Sequence, residues 1–156
     1  MTLLLDITEE RLVDSPVCDW QQALFRMPFE TRETSMANWP LIAIVDDDQW
    51  IRRSLQRLLK SAGYRAEAFI SAEHYLAARN HEETRCIIVD IGLPGMNGFE
   101  LERRLTAEDS RLPVVFVSAH DEPEVRDEAA HAGAVAFLGK PFDDNALLDA
   151  IRTALK

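Results

Sequence analysis

Residues 86–98 read Cys86-Ile87-Ile88-Val89-Asp90-Ile91-Gly92-Leu93-Pro94-Gly95-Met96-Asn97-Gly98. Cys86 to Val89 is an uninterrupted apolar run that ends on an acid. A run this short, rich in β-branched residues, suits a strand buried on both faces. The glycines, proline and asparagine behind it mark a turn-rich connection, and a helical pattern then extends through Leu105. Toward the N-terminus, Leu41-Ile42-Ala43-Ile44-Val45 is a second such run ending in acid. Ile51, Leu55, Leu58, Leu59 and Ala62 follow on one helical stripe, with Arg52, Arg53, Arg57 and Lys60 largely off it. Gly63 stands where a helix-terminating glycine belongs. Arg65 to Phe69 reads as the next strand, and Ser71 caps a helix to about Arg79 with Glu73 in its first turn. Toward the C-terminus, Pro113 to Val117 predicts a fourth strand and Pro123 to Ala132 a fourth helix, stopped by Gly133. Val135 to Leu138 predicts a fifth strand, and Asp143 to Leu155 the last helix. Strands and helices in strict alternation imply an α/β fold with a parallel sheet covered on both faces.

The chain has 156 residues, room for one ordinary domain and a short extension. Its formal net charge of -10 argues against nonspecific binding to nucleic acid or to an anionic membrane, both of which need a basic face. Cys18 and Cys86 stand far apart and make no disulfide framework; both are read as reduced thiols in a reducing compartment. No apolar stretch approaches the ~20 residues of a membrane span. The opening Met1-Thr2-Leu3-Leu4-Leu5-Asp6 lacks the basic flank of a secretion signal. The expected location is the cytoplasm.

Residues 1–38 do not follow the strand–helix rhythm and are read as an N-terminal extension to a domain over 39–156. Ser15-Pro16 is a helix start, with Val17, Trp20 and Leu24 on one stripe until Pro28 stops it. Two readings stand side by side. The extension is a disordered tail with one marginal helix, or Trp20, Leu24 and Phe25 dock on the domain or on a partner. Met36 also offers an internal start.

In an open parallel sheet, reactive groups collect beyond the carboxyl ends of the strands. The first strand delivers Asp46, Asp47 and Asp48 there, the third Asp90, and the fourth Ser118. The fifth is followed by Lys140-Pro141-Phe142. Phosphoryl transfer gives each group a task. Crowded carboxylates repel one another unless a cation joins them, and Mg²⁺ suits a site of few carboxylates, waters and a phosphoryl oxygen. With that charge screened, a carboxylate can attack phosphorus and become an acyl phosphate. Lys140 supplies a point positive charge for one phosphoryl oxygen, and Ser118 a hydrogen bond for another. Singly, an acid after a strand is most often a helix cap, as Asp48 is read here. Together, at the right strand ends, the four groups argue for a site.

Ile44-Val45-Asp46-Asp47-Asp48, Val89-Asp90 with Gly92-Leu93-Pro94-Gly95-Met96-Asn97-Gly98, Val117-Ser118-Ala119-His120 and Leu138-Gly139-Lys140-Pro141-Phe142 resemble the response-regulator receiver family of two-component systems. Ser54-Leu55, Ser61-Ala62-Gly63-Tyr64, Phe69 with Ser71-Ala72-Glu73, and Gly133-Ala134-Val135 point to its FixJ-like branch. The resemblance covers about residues 40–156. It implies a flavodoxin-like (βα)5 doubly wound sheet with strand order 2-1-3-4-5. It implies that Asp90 is the phosphoacceptor, that Asp46, Asp47, Asp90 and the Gly92 backbone carbonyl hold Mg²⁺, and that Lys140 binds the phosphoryl group, with a cis peptide between it and Pro141. Ser118 is then the switch hydroxyl and Phe137 the switch aromatic, the bland reading of Phe137 being strand packing.

The same resemblance implies a histidine kinase or histidine phosphotransfer protein as donor. The chain would be no enzyme beyond its own phosphorylation and dephosphorylation. The face of the fourth helix, fifth strand and fifth helix would meet a downstream protein or output domain, or form a phosphorylation-dependent homodimer. The fourth helix carries Glu122, Glu124, Arg126, Asp127, Glu128 and His131, which favours a charge-matched contact over a large apolar dimer interface. Trp50, three residues after Asp47, is expected to help dock the donor with Arg53 and Arg57, or else to pack against the loop after the fifth strand. The chain ends directly after the fifth helix, as a stand-alone receiver or a fragment of a longer regulator would. Two rivals remain. A haloacid-dehalogenase-type phosphatase needs a second Asp where Gly92 stands, and a phosphorylation-independent interaction module would normally have lost one of the site residues.

Overall fold

Each strand of the sheet carries two apolar stripes, because successive side chains point to opposite faces. In the computed structural model, which describes residues 36–78 and 81–156, these stripes sort into two cores. The predicted helix after Ser15-Pro16, the docking of Trp20, Leu24 and Phe25, and Arg79 lie outside the described residues.

The elements are β1 (Leu41–Val45), α1 (Gln49–Ser61), β2 (Arg65–Phe69), α2 (Ala72–Ala77), β3 (Thr84–Asp90), α3 (Gly98–Ala107), β4 (Val114–Ser118), α4 (Pro123–His131), β5 (Ala136–Gly139) and α5 (Asp144–Ala154). The strands pair in parallel in the order β2-β1-β3-β4-β5, the order expected. Trp39–Lys156 form one unit. On one face Ile42, Ile44, Cys86, Ile88, Val115 and Val117 meet Leu55 and Leu59 of α1 and Leu147 and Ile151 of α5. On the other, Ala43, Val45, Ile87, Val89, Val114 and Phe116 meet Tyr75 of α2, Phe99, Leu101 and Leu105 of α3, and Ala129 of α4. Each fully buried Leu, Ile or Phe contributes about 1.5–3 kcal/mol of transfer free energy. The central strands therefore read as continuous apolar runs because both their faces are covered.

Side-chain caps set the helix starts. Asp48 Oδ1 accepts from Trp50 N at 2.8 Å, as its position predicts, and Ser71 Oγ accepts from His74 N at 3.1 Å. Asn97 and Glu100 form a capping box at α3. The structure departs from the sequence reading at several ends. β3 begins at Thr84, after a 3-10 turn at His81–Glu83. The register shifts between Leu41 and Ile42, leaving Arg85 exposed between buried Thr84 and Cys86; that bulge masks the strand's polar start. α2 stops at Ala77, because Ala78 is extended. β5 lies one residue later than predicted.

Candidate functional site

β1 and β3 are neighbours in the sheet, with α1 on one face and α2 and α3 on the other, so a crevice opens beyond their carboxyl ends. Asp46, directly after β1, is 1% exposed. Its Oδ1 accepts from Asp48 N at 2.8 Å, and its backbone carbonyl accepts from the Arg52 guanidinium at 2.8 Å. Asp47 beside it is exposed. Asp90 ends β3, and its Oδ1 accepts from Gly92 N at 3.0 Å. Gly98 lets the chain turn back under this residue: a Cβ there would lie 2.9 Å from the Asp90 carbonyl oxygen and 2.9 Å from Ile91 Cα.

Lys140 crosses to this cluster from the end of β5. Its Nζ donates to Asp46 Oδ2 at 2.9 Å and to Asp90 Oδ2 at 3.1 Å. The peptide to Pro141 is cis, as expected, and Lys140 N donates to the Ser118 carbonyl at 2.7 Å, tying the ends of β4 and β5 together. One oxygen each of Asp46, Asp47 and Asp90 lies within 4.8 Å of the others. Burial and chemistry suit a hard divalent cation: the donors are carboxylate oxygens, each with lone pairs beyond those its hydrogen bonds use.

Burial raises the Asp46 carboxyl above its ordinary range, against the opposing pull of Lys140 and the Asp48 amide. Burial opposes the Lys140 charge as well, but Asp46 and Asp90 outweigh it and raise its pKa. For Asp46 this means that the folded chain holds the proton more readily than the unfolded chain does. The stability it contributes is complete below the ordinary pKa of 3.8 and is lost as pH rises through the folded value. Asp46→Asn is therefore expected to raise Tm at pH 7 in metal-free buffer, with the gain shrinking toward pH 4. Saturating Mg²⁺ should reverse the ranking, since a ligand at a hundred times its Kd adds about 2.7 kcal/mol to the protein that binds it. Calorimetric melts across pH, with and without Mg²⁺, check both halves; a variant less stable than wild type at pH 7 without metal contradicts the account.

Ser118 ends β4, 1% exposed, and its Oγ accepts from His120 N at 3.0 Å. Its strand neighbour is Gly139, one residue before Lys140. Phe137 sits opposite Phe116, packs against the core, and lies 5.1 Å beneath the Arg126 guanidinium. Arg126 is in turn bonded to Asp121 in the loop after β4.

The family model of the response regulator receiver domain matches residues 42–152. The chain belongs to this family. The response regulator protein TmoT of Ectopseudomonas mendocina is 38% identical over 116 residues, 74% of this chain and 53% of TmoT. The transcriptional regulatory protein FixJ of Bradyrhizobium diazoefficiens is 36% identical over 115 residues, 74% of this chain and 56% of FixJ. Among solved structures, the response regulator StyR superposes with a TM-score of 0.70 at 43% identity, covering 75% of this chain and 59% of StyR. The likeness to FixJ agrees with the branch to which the motifs point. The chain spans about half the length of these curated relatives.

The receiver's Trp50 is 73% exposed, with the Arg53 guanidinium 5.8 Å from its ring centroid. It is not buried against the loop after β5. Instead it rims a groove of about 600 Å³ between α1 and that loop, lined also by Ile51, Leu58, Pro141 and Phe142. Arg57 is exposed on α1. On α4, Ala129 is buried and the charged residues are exposed, with Glu128 3.8 Å from Arg103 of α3. No helix among the described residues is long and apolar enough to cross a membrane. Arg52 is the site residue that sequence reasoning missed, being counted with the solvent-facing arginines of α1. Its position six residues after Asp46, one turn into a helix that starts at the pocket, is the signal that places it within reach.

Proposed function

We propose that this receiver accepts a phosphoryl group on Asp90 from the phosphohistidine of a histidine kinase or histidine phosphotransfer protein, in a Mg²⁺-dependent reaction. The observation that carries the reading is the half-buried Lys140 amine bonded to both Asp46 and Asp90, beside an exposed Asp47 that completes an oxygen-donor cluster. Asp46, Asp47, Asp90 and the Gly92 carbonyl are the residues that would hold Mg²⁺, which neutralises charge on the incoming phosphoryl oxygens. An Asp90 carboxylate oxygen forms the new bond to phosphorus. The phosphorus–nitrogen bond to the donor imidazole breaks, the imidazole keeping the electron pair and regaining a proton from solvent.

Lys140 then exchanges its carboxylate partners for a phosphoryl oxygen, and Ser118 releases the His120 amide to donate to another. The added charge biases the loops after β3 and β4 and, with Phe137, the α4–β5–α5 face toward a second arrangement. A downstream protein or an output domain reads that face through charge-matched contacts; a phosphorylation-dependent homodimer is the less favoured partner. The chain catalyses only its own phosphorylation and dephosphorylation, acts in the cytoplasm, and is not assigned contact with nucleic acid or membrane.

The donor docks on the groove beside the pocket, with Trp50 as its aromatic anchor and Arg53 and Arg57 as cationic contacts. Trp50→Ala is expected to slow transfer from a cognate phosphohistidine donor by about tenfold or more, while Mg²⁺-dependent beryllofluoride binding stays within roughly twofold. Equal transfer by the two proteins removes Trp50 from the docking surface. A wild-type receiver that does not bind beryllofluoride with Mg²⁺ overturns the functional reading itself.

A further inference from the structure

We infer that Glu73, on α2, is a positioning residue of the phosphorylation pocket: its carboxylate holds the 92–97 loop, and through it the Gly92 side of the pocket, in register with Asp90. The inference rests on the Mg²⁺ site proposed above. By sequence, Glu73 is an acid in a helix's first turn, where it complements the helix dipole. In the structure its carboxylate also reaches beyond the helix start. Oε1 accepts from Met96 N at 2.9 Å, across twenty-three residues of sequence. Gly95, at φ +75, makes room for this contact, because a Cβ there would stand 2.8 Å from Glu73 Oε1. The Met96 amide is also the largest of the influences that hold the Glu73 carboxyl below the usual range, ahead of Glu73's own amide.

At its β3 end the loop is held by Gly92 N on Asp90 Oδ1, by Ile91 N on the Val117 carbonyl and Gly98 N on the Ile91 carbonyl, and by Leu93, which is buried in the core. At its far end the Asn97–Glu100 box lies within its own segment, and Met96 N is where a side chain of a neighbouring helix reaches the loop backbone. Glu73 reaches it from α2 on the same face of the sheet. Glu73 adds a polar anchor at the far end of a loop whose near end would supply a carbonyl to the pocket, much as outer-shell partners fix the ligands of metal sites.

Three variants separate anchoring from a helix-charge role. Glu73→Gln keeps the reach and an oxygen acceptor but loses the charge. Glu73→Asp keeps the charge but is one carbon–carbon bond, about 1.5 Å, too short. Glu73→Ala loses both. Calorimetric Mg²⁺ titration and amide hydrogen exchange at Met96 are the readouts on the full chain, with melting curves to verify folding. The expected result is that Asp and Ala weaken Mg²⁺ binding by about tenfold and speed Met96 exchange, while Gln stays within roughly twofold of wild type on both. Wild-type behaviour in Glu73→Asp, or an unchanged Mg²⁺ Kd in Glu73→Ala, overturns the inference. Faster Met96 exchange at an unchanged Kd shows a tether that does not position the pocket and overturns it too. A wild-type chain that binds no Mg²⁺ refutes instead the functional reading on which the inference stands.

Discussion

Asp90→Asn is expected to abolish phosphoryl uptake from acetyl phosphate, lowering labelling by at least about a thousandfold, because Asp90, at the end of the central strand β3 and bonded to Lys140 beside the other acids of the cluster, is the proposed carboxylate nucleophile. Asp46 is the more deeply buried carboxylate, 1% exposed against 7% for Asp90, with one oxygen on the Asp48 amide and the other on Lys140. Asp47 is exposed at the rim of the cluster and is a proposed cation ligand. The fold should survive the change, since Asn keeps an oxygen for the Gly92 amide, which Asp90 Oδ1 accepts at 3.0 Å. Phosphate incorporation measured on both proteins, with Tm as the folding control, decides the matter. Comparable labelling of the variant would move the acceptor to another residue.

Lys140→Ala carries the second large effect, and it acts on chemistry and stability together. The Lys140 side chain is 16% exposed, and its partners Asp46 and Asp90 are 1% and 10% exposed. Removing the amine leaves two nearly buried carboxylates facing each other with no counter-charge. Breaking such a pair costs on the order of 3 kcal/mol. The raised Lys140 pKa puts its contribution fully in force below the ordinary 10.5, and it is lost only as pH rises through the folded value, so neutral pH lies inside the window. Toward pH 4 the variant's deficit should shrink, as protonation of Asp46, whose pKa is raised, removes the repulsion. Added Mg²⁺ should restore much of the stability. Phosphoryl uptake should stay depressed by about a hundredfold, as loss of one preorganised donor to a developing anion typically costs. Melts and labelling run side by side check both. Uptake that recovers fully with Mg²⁺ would mean that the amine serves only to hold the empty pocket together.

These effects come from residues that the sequence brings to one place for a simple reason. In a parallel sheet every strand points the same way, so the acids after Val45 and Val89 and the lysine after Gly139 must meet at one edge once the runs are read as strands. Asp48 as a cap and the two-faced cores of Leu55, Leu59, Leu147 and Ile151 against Leu101, Leu105 and Phe116 follow from local pattern alone. Contacts set by side-chain reach do not. Arg52 looks like one more solvent arginine until its guanidinium is seen on the Asp46 carbonyl. Glu73 looks like a helix-dipole acid until it is seen on Met96. The bulge at Arg85 hides the start of β3, because polar residues at a strand's end carry no periodic signal. The stacking of Arg126 on Phe137, with Asp121 behind it, joins residues whose meeting depends on a loop conformation that composition does not encode.

The most direct measurement is peptide mass mapping of the wild-type chain after incubation with Mg²⁺ and acetyl phosphate. An acid-stable, hydroxylamine-sensitive phosphoryl group on the peptide containing Asp90, absent when Mg²⁺ is chelated, is the predicted result. A folded chain that carries no such group, or carries it equally without the cation, contradicts the account.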